Sequence, residues 1–215
     1  MNNNIIVKIN TSDDDYYLNP PKFIYNKEHC VLLNKEINEI KQDKPKSDNT
    51  IIFKLIANEQ ITSLKKILIK SQYDINIQDI DGDTPLHMSV FMGNFDICEV
   101  LIKHNANINI KDKWGQTPCH RICFGIEKPS IIKIVDLFCD YQQKYFKLIN
   151  IWNECDKHYN TPLHLVIKYI LKNKIKVKTH IKLLLKKLIK LTNINLKNKD
   201  DMSPQDLLKL INYDK

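Results

Sequence analysis

The sequence is short of glycine and of arginine. Its 215 residues include four glycines, and Arg121 is its one arginine. A loop that cradles phosphate needs several closely spaced glycines, and neither a Walker motif nor a dinucleotide-binding fingerprint occurs. The His-Glu-x-x-His motif and the nucleophile elbow are also missing. We therefore expect a protein that is not an enzyme and that needs no cofactor.

Long apolar runs are missing as well. No uncharged apolar stretch approaches the roughly 18 residues of a membrane-spanning helix, and the start MNNNIIVKINTSDDDYY lacks the basic flank of a signal peptide. Apolar residues make up 43% of the chain, which is enough to form a core. These features predict an intracellular, cytoplasmic monomer whose six cysteines are reduced thiols.

Positive charge is concentrated in one segment. The formal net charge is +8, but residues 165–199 hold eleven lysines and no acidic residue, and the rest of the chain is slightly acidic. Within this segment Lys178, Lys182, Lys186 and Lys190 recur at four-residue steps, which predicts a basic helix face. Three interpretations stay open for this face. It is merely solvated, it contacts an acidic protein, or it binds nucleic acid or an anionic membrane.

One short phrase recurs along the chain. TPLH, TPCH and TPLH begin at Thr84, Thr117 and Thr161, and SPQD begins at Ser203. An asparagine lies eight residues before each of these positions, at Asn76, Asn109, Asn153 and Asn195. The turn segment therefore keeps its length, and the 11 and 9 extra residues of the two later units lie within or between helices. Each unit is predicted as a turn, a helix with Thr as N-cap and Pro at its first position, and a second helix.

With its D-x-x-G-x-T-P-L-H turn and its A-x-I-N exit, the unit resembles the ankyrin repeat, a turn followed by two helices. The resemblance implies an all-α repeat solenoid, an ankyrin-type stack of helix-turn-helix units joined by β-turn loops. It covers residues 46–215, with units of about 46–78, 79–111, 112–155 and 156–197 and a partial cap at 198–215. Residues 1–45 are expected to form an acidic loop and a capping helix with the apolar stripe Cys30, Leu33, Ile37 and Ile40.

The repeated histidines suggest chemistry, but their recurrence favours a structural role. In ankyrin repeats the histidine found at His87, His120 and His164 bonds the backbone at the turn. Cys119 and Cys123 flank His120, but a zinc site needs four converging ligands. Both cysteines also occupy slots that are expected to be buried. We therefore expect no metal site.

The resemblance also implies a scaffold that binds a partner protein through turn tips and the concave face of the first helices. The abundance of Asn, Ile and Lys is similar to that of ankyrin proteins from large DNA viruses, intracellular bacteria or AT-rich protists, which suggests a host-directed adaptor or inhibitor. The alternative function is electrostatic binding of nucleic acid or an anionic membrane through residues 165–199.

Candidate contact residues lie on the turn tips and first helices. Trp114 is the leading anchor, because exposed tryptophan is typical of binding hot spots, unless its ring folds back onto a neighbour. Tyr159 stands where the family has glycine, so the fourth turn is expected to be distorted. The full predicted set is Asp81, Asp83, Met88, Phe91, Met92, Lys113, Trp114, Gln116, Arg121, Phe124, His158, Tyr159 and Leu165.

Overall fold

A computed structural model describes residues 50–70, 73–145 and 150–211. Within these ranges every regular element is a helix. The predicted acidic loop and capping helix at 1–45 lie outside the described residues. The α-helices are α1 (Ile51–Ala57), α2 (Ile61–Ile69), α3 (Pro85–Phe91), α4 (Phe95–Lys103), α5 (Ile131–Tyr145), α6 (Pro162–Lys172), α7 (Thr179–Leu191) and α8 (Pro204–Leu210), and two 3₁₀ helices span Pro118–Gly125 and Ile151–Asn153.

The helices stack in two layers. In the first layer α1, α3, the 3₁₀ helix Pro118–Gly125, α6 and α8 pack against one another in chain order. In the second layer α2, α4, α5 and α7 do the same. The buried apolar side chains of the two layers form one continuous cluster along the stack. Because each unit buries its apolar face against its neighbours, the predicted all-α repeat solenoid is confirmed.

The recurring phrase starts the first-layer helices. Thr84, Thr117, Thr161 and Ser203 all have extended backbone, and a proline occupies the first turn that follows. In each case the side chain three residues later accepts a hydrogen bond from the N–H of the capping residue, which closes a capping box. The Thr-Pro pair therefore sets where each of these helices begins.

The repeated histidines connect neighbouring units. The N–H of Thr84 donates to Nδ1 of His87 at 3.1 Å, so the ring proton lies on Nε2, which donates to the carbonyl of Gln116 at 3.0 Å. His120 and His164 repeat the arrangement, with Nε2 at 3.0 Å and 3.1 Å from the carbonyl that precedes the next N-cap. The structural role predicted for these histidines is confirmed.

Each turn is held by its first residue. A side-chain oxygen of Asp79, Asp112, Asp156 and Asn198 accepts hydrogen bonds from the backbone N–H groups two and four residues later, at 2.8–3.1 Å. Neighbouring turns are then joined by one backbone hydrogen bond each. Lys113 N–H donates to Asp81, and the next two turns repeat the bond at 2.9 Å.

The fourth turn has the same geometry as the others, so the prediction of a distorted turn was wrong. Tyr159 has a φ of +59°, in the left-handed region that Gly82 and Gly115 occupy with φ of +80° and +78°. Its N–H closes the same 3.0 Å turn bond to Asp156. Contacts with the neighbouring turns hold this geometry, and Tyr159 adopts a strained backbone conformation as a result.

The inserted residues lengthen both helices and connections. In the third unit the second helix, α5, has 15 residues where α4 has 9. In the fourth unit α6 and α7 have 11 and 13 residues where α3 and α4 have 7 and 9. A loop over residues 173–178 joins α6 to α7. The insertions thus enlarge the later units while the turns stay unchanged.

The first helix of the third unit is a 3₁₀ helix, whereas the sequence predicts the same helix as in its neighbours. Its last residue, Gly125, lies so close to α3 that an added Cβ would be 3.2 Å from the carbonyl oxygen of Val90. The same Cβ would lie 2.9 Å from Cδ1 of Ile131. Glycine therefore permits the close packing at this end of the 3₁₀ helix.

Replacing Tyr159 with glycine should stabilise the protein. A non-glycine residue in the left-handed region costs about 1–2 kcal/mol, and part of this is offset by the entropy of glycine in the unfolded chain. We expect the melting temperature to rise by about 2–4 °C. The matched change Gly115→Ala should lower it, because the new Cβ would lie 3.1 Å from the backbone nitrogen of Lys157. An unchanged or lower melting temperature for Tyr159→Gly would show that the backbone of Tyr159 is not strained.

The buried histidines should make folding sensitive to mild acid. Burial lowers the pKa of His87 and His120 to about 3 and that of His164 to about 4. The unfolded chain binds protons below its pKa of about 6.5, so the stability is fully present above that pH and is lost as the pH falls toward 3–4. At pH 5.5 the loss is about 1.4 kcal/mol for each histidine.

The test compares His120→Gln with the wild type in urea unfolding at pH 7.5 and 5.5. The variant lacks one of these groups, so it should lose about 1.4 kcal/mol less stability between the two pH values. Equal losses in His120→Gln and the wild type would contradict a buried neutral imidazole.

Candidate partner-binding surface

The turn tips form one row across the stack. The backbone bonds between turns place Asp81, Trp114 and His158 in equivalent positions, with Lys113 and Lys157 beside them. At the start of the row Ile80 is 97% exposed, an apolar side chain in full contact with water. Tyr159 follows at 58% exposure. The row thus presents apolar, aromatic and charged side chains on rigid turns.

Trp114 is half-buried, and two cations lie near its ring. The Nζ of Lys113 lies 4.3 Å above the centre of a Trp114 ring, and Cζ of Arg121 lies 6.0 Å from it. Lys113 also forms an ion pair with Asp81 of the preceding turn. The ring therefore contacts residues of its own unit and still presents part of its surface to solvent. The sequence left open whether Trp114 is exposed or folds back onto a neighbour, and the ring does both in part.

A row of aromatic rings crosses the first-layer helices. Phe91 of α3 lies 5.2 Å from Phe124 of the 3₁₀ helix, and Phe124 lies 5.5 Å from Tyr169 of α6, centre to centre. All three are partly exposed, as is Met92 beside them. Phe91 and Phe124 were predicted. Tyr169 was missed because it lies eight residues after its capping threonine, whereas the two phenylalanines lie seven residues after theirs.

Five predicted contact residues are buried and cannot contact a partner. Each is no more than 2% exposed, and they occupy two recurring positions. One is the residue before the N-cap. The other lies four residues after the N-cap. The corrected residues are Asp83 and Gln116 at the first position and Met88, Arg121 and Leu165 at the second.

Arg121 forms a buried ion-pair network. Its Nη2 lies 2.7 Å from Asp83 and 2.6 Å from Asp112, and all three side chains are at most 2% exposed. Burial raises the pKa of Asp83 to about 6 and also raises that of Asp112, and the guanidinium works against this effect. Arg121 therefore balances two carboxylates from consecutive turns. Its equivalents in the second and fourth units are Met88 and Leu165.

The one cluster with metal-ligand character in the described residues is part of this network. Ligand atoms of Asp83, His87 and Asp112 lie within 4.8 Å of one another. However, Arg121 already contacts both carboxylates, and both ring nitrogens of His87 have hydrogen-bond partners. A cation there would have to displace the guanidinium, so the cluster is better understood as a structural ion pair.

The cysteines next to His120 are built into the core. Cys119 and Cys123 are fully buried, and burial raises the pKa of both thiols, that of Cys123 to about 12. Both ring nitrogens of His120 bond backbone or side-chain groups of the turns. A zinc ion needs thiolate and free imidazole ligands, and these groups are held in other roles.

The predicted basic face lies on and before α7. Lys178, Lys182, Lys186 and Lys190 are all exposed. Lys187 points the other way and pairs with Asp136 of α5. None of the helices in the described ranges is both long and apolar enough to cross a membrane.

The comparison with known families agrees with this architecture. Residues 52–147 match the family model described as ankyrin repeats (3 copies), so this part of the chain consists of ankyrin repeats. Ankyrin repeats are generally protein–protein interaction modules and are typically non-catalytic. The sequence matches no curated protein at a significant level. The capping boxes and histidine bonds described above continue beyond residue 147, through α6 and α8.

Replacing Arg121 with methionine should be strongly destabilising. The change leaves two buried carboxylates without their cation, which costs about 3–5 kcal/mol for a buried pair that loses one partner. Adding Asp83→Asn and Asp112→Asn should restore most of this loss, because Asn160 and Asn198 already serve at the equivalent positions of later turns. Urea unfolding gives the free energy of unfolding of the single and the triple variant. A loss below about 1 kcal/mol in Arg121→Met would contradict the network's role.

Proposed function

We propose that the protein binds a partner protein through its row of turn tips together with the aromatic row of the first-layer helices. The observation that carries the proposal is the continuity of the aromatic row, since its rings come from three successive units and lie 5.2 and 5.5 Å apart. The surface residues retained from the sequence prediction are Asp81, Phe91, Met92, Lys113, Trp114, Phe124, His158 and Tyr159, and the structure adds Ile80 and Tyr169.

The rigidity of the scaffold supports this function. The turn tips are held by backbone bonds between units and by side-chain bonds within each turn. A surface that is ordered before binding loses little conformational entropy when the partner docks. Partly exposed aromatic rings on such a surface supply the contacts that dominate binding energy.

The adaptor or inhibitor role expected from the resemblance depends on which protein is bound. Proximity labelling with the full chain identifies candidates, and each candidate is then purified and titrated directly. An adaptor leaves the partner's own activity in place and recruits a second protein, whereas an inhibitor lowers that activity.

The binding test uses Trp114→Ala and Tyr159→Ala with the identified partner. Each substitution should weaken binding about tenfold or more, as is usual for aromatic hot spots, with the melting temperature recorded in parallel. The matched control is Tyr145→Ala, because Tyr145 is also about half-exposed, at 52%, but lies at the end of α5, away from both rows. Equal affinity in all variants would reject this surface.

A further inference from the structure

A second surface lies at the outer face of the fourth unit. Between residues 172 and 190, seven lysines are exposed to solvent, and the segment contains no acidic residue. The buried residues of α7 pack into the core and are Ile181, Leu184, Leu185 and Leu188. The opposite side of the helix therefore carries an exposed row of positive charge.

An exposed leucine lies within this row. Leu183 is 53% exposed and directly follows Lys182. Lys186 and Lys190 lie on later turns of the same helix, at four-residue steps from Lys182, or about 6 Å of rise each. The face thus combines regularly spaced cations with one apolar contact point.

We propose that this face binds an acidic helical segment of a partner protein, independently of the turn-tip surface. Carboxylates at four-residue spacing on a facing helix would match the lysines, and an apolar residue between them would cover Leu183. Oppositely charged surfaces attract one another and orient the encounter. A single acidic helix would then contact both the lysines and Leu183.

The same residues argue against nucleic acid and against a membrane. The single arginine is buried at Arg121, so the exposed face lacks the side chain that best matches phosphate. No Phe, Tyr or Trp lies in residues 172–190 to stack on bases. Insertion into a membrane needs a broad apolar helix face, and the apolar face of α7 is already buried in the core.

The test uses a synthetic fluorescein-labelled helical peptide with glutamate at every fourth position and one central leucine. Binding to the full chain is measured by fluorescence anisotropy. The triple variant Lys182→Gln, Lys186→Gln, Lys190→Gln should weaken binding about tenfold or more. Leu183→Gln should weaken it about threefold or more without changing its dependence on salt, because no charge is removed.

The matched control is Lys65→Gln, Lys66→Gln, Lys70→Gln. These three exposed lysines lie on and just after α2, the second helix of the first described pair, and the change in net charge is the same. This control should bind the peptide as the wild type does. Equal weakening by both triple variants would overturn the proposal, because net charge alone would then explain binding.

Two further probes separate the other ligand classes. A labelled single-stranded oligonucleotide and vesicles with anionic lipid are titrated against the same variants. If either binds through Lys182, Lys186 and Lys190 while the acidic peptide does not bind, the proposed partner class is wrong. Peptide binding that is lost in the α7 variant and kept in the α2 control supports it, whatever the outcome at the turn tips.

Discussion

The fold depends on a hydrogen bond that the second, third and fourth units each make to the unit that follows, from a buried neutral imidazole to a backbone carbonyl. The ring nitrogen that faces its own unit is held by the N–H of the capping threonine, which leaves the other nitrogen to donate. The carbonyl it reaches belongs to the residue just before the next N-cap. Because both groups are buried, a shift in register would leave each without a partner, and that cost is far larger than the bond's net gain. The helices can therefore vary in length while the turns stay aligned.

The same stacking explains the burial of residues that look as though they belong to the surface. The position four residues after the N-cap is buried, and the third unit places Arg121 there. A buried cation is tolerated because two turn carboxylates surround it. In the second and fourth units, Met88 and Leu165 fill the equivalent space with apolar atoms. The same position is thus ionic in the third unit and apolar in the second and fourth.

What remains available for recognition lies where the units differ. The turn tips carry Ile80, Trp114 and Tyr159 on a backbone that the stack makes uniform. The first-layer helices add three neighbouring rings, and the enlarged fourth unit adds a basic outer face. These surfaces differ in chemistry, one aromatic with mixed charge and one cationic, so they suit different kinds of partner.

The sequence by itself determined the repeat, its turn length and the structural role of the three histidines, because these depend on local motifs at constant spacing. It also predicted the exposed lysines of α7, since helical periodicity separates them from the apolar stripe. It could not predict that Asp83, Gln116 and Arg121 are buried, or that Tyr169 joins the phenylalanines. Those outcomes depend on which atoms the adjacent unit covers. Only the tertiary structure decided them, because the space between stacked units is shaped by two segments that lie more than thirty residues apart in the chain.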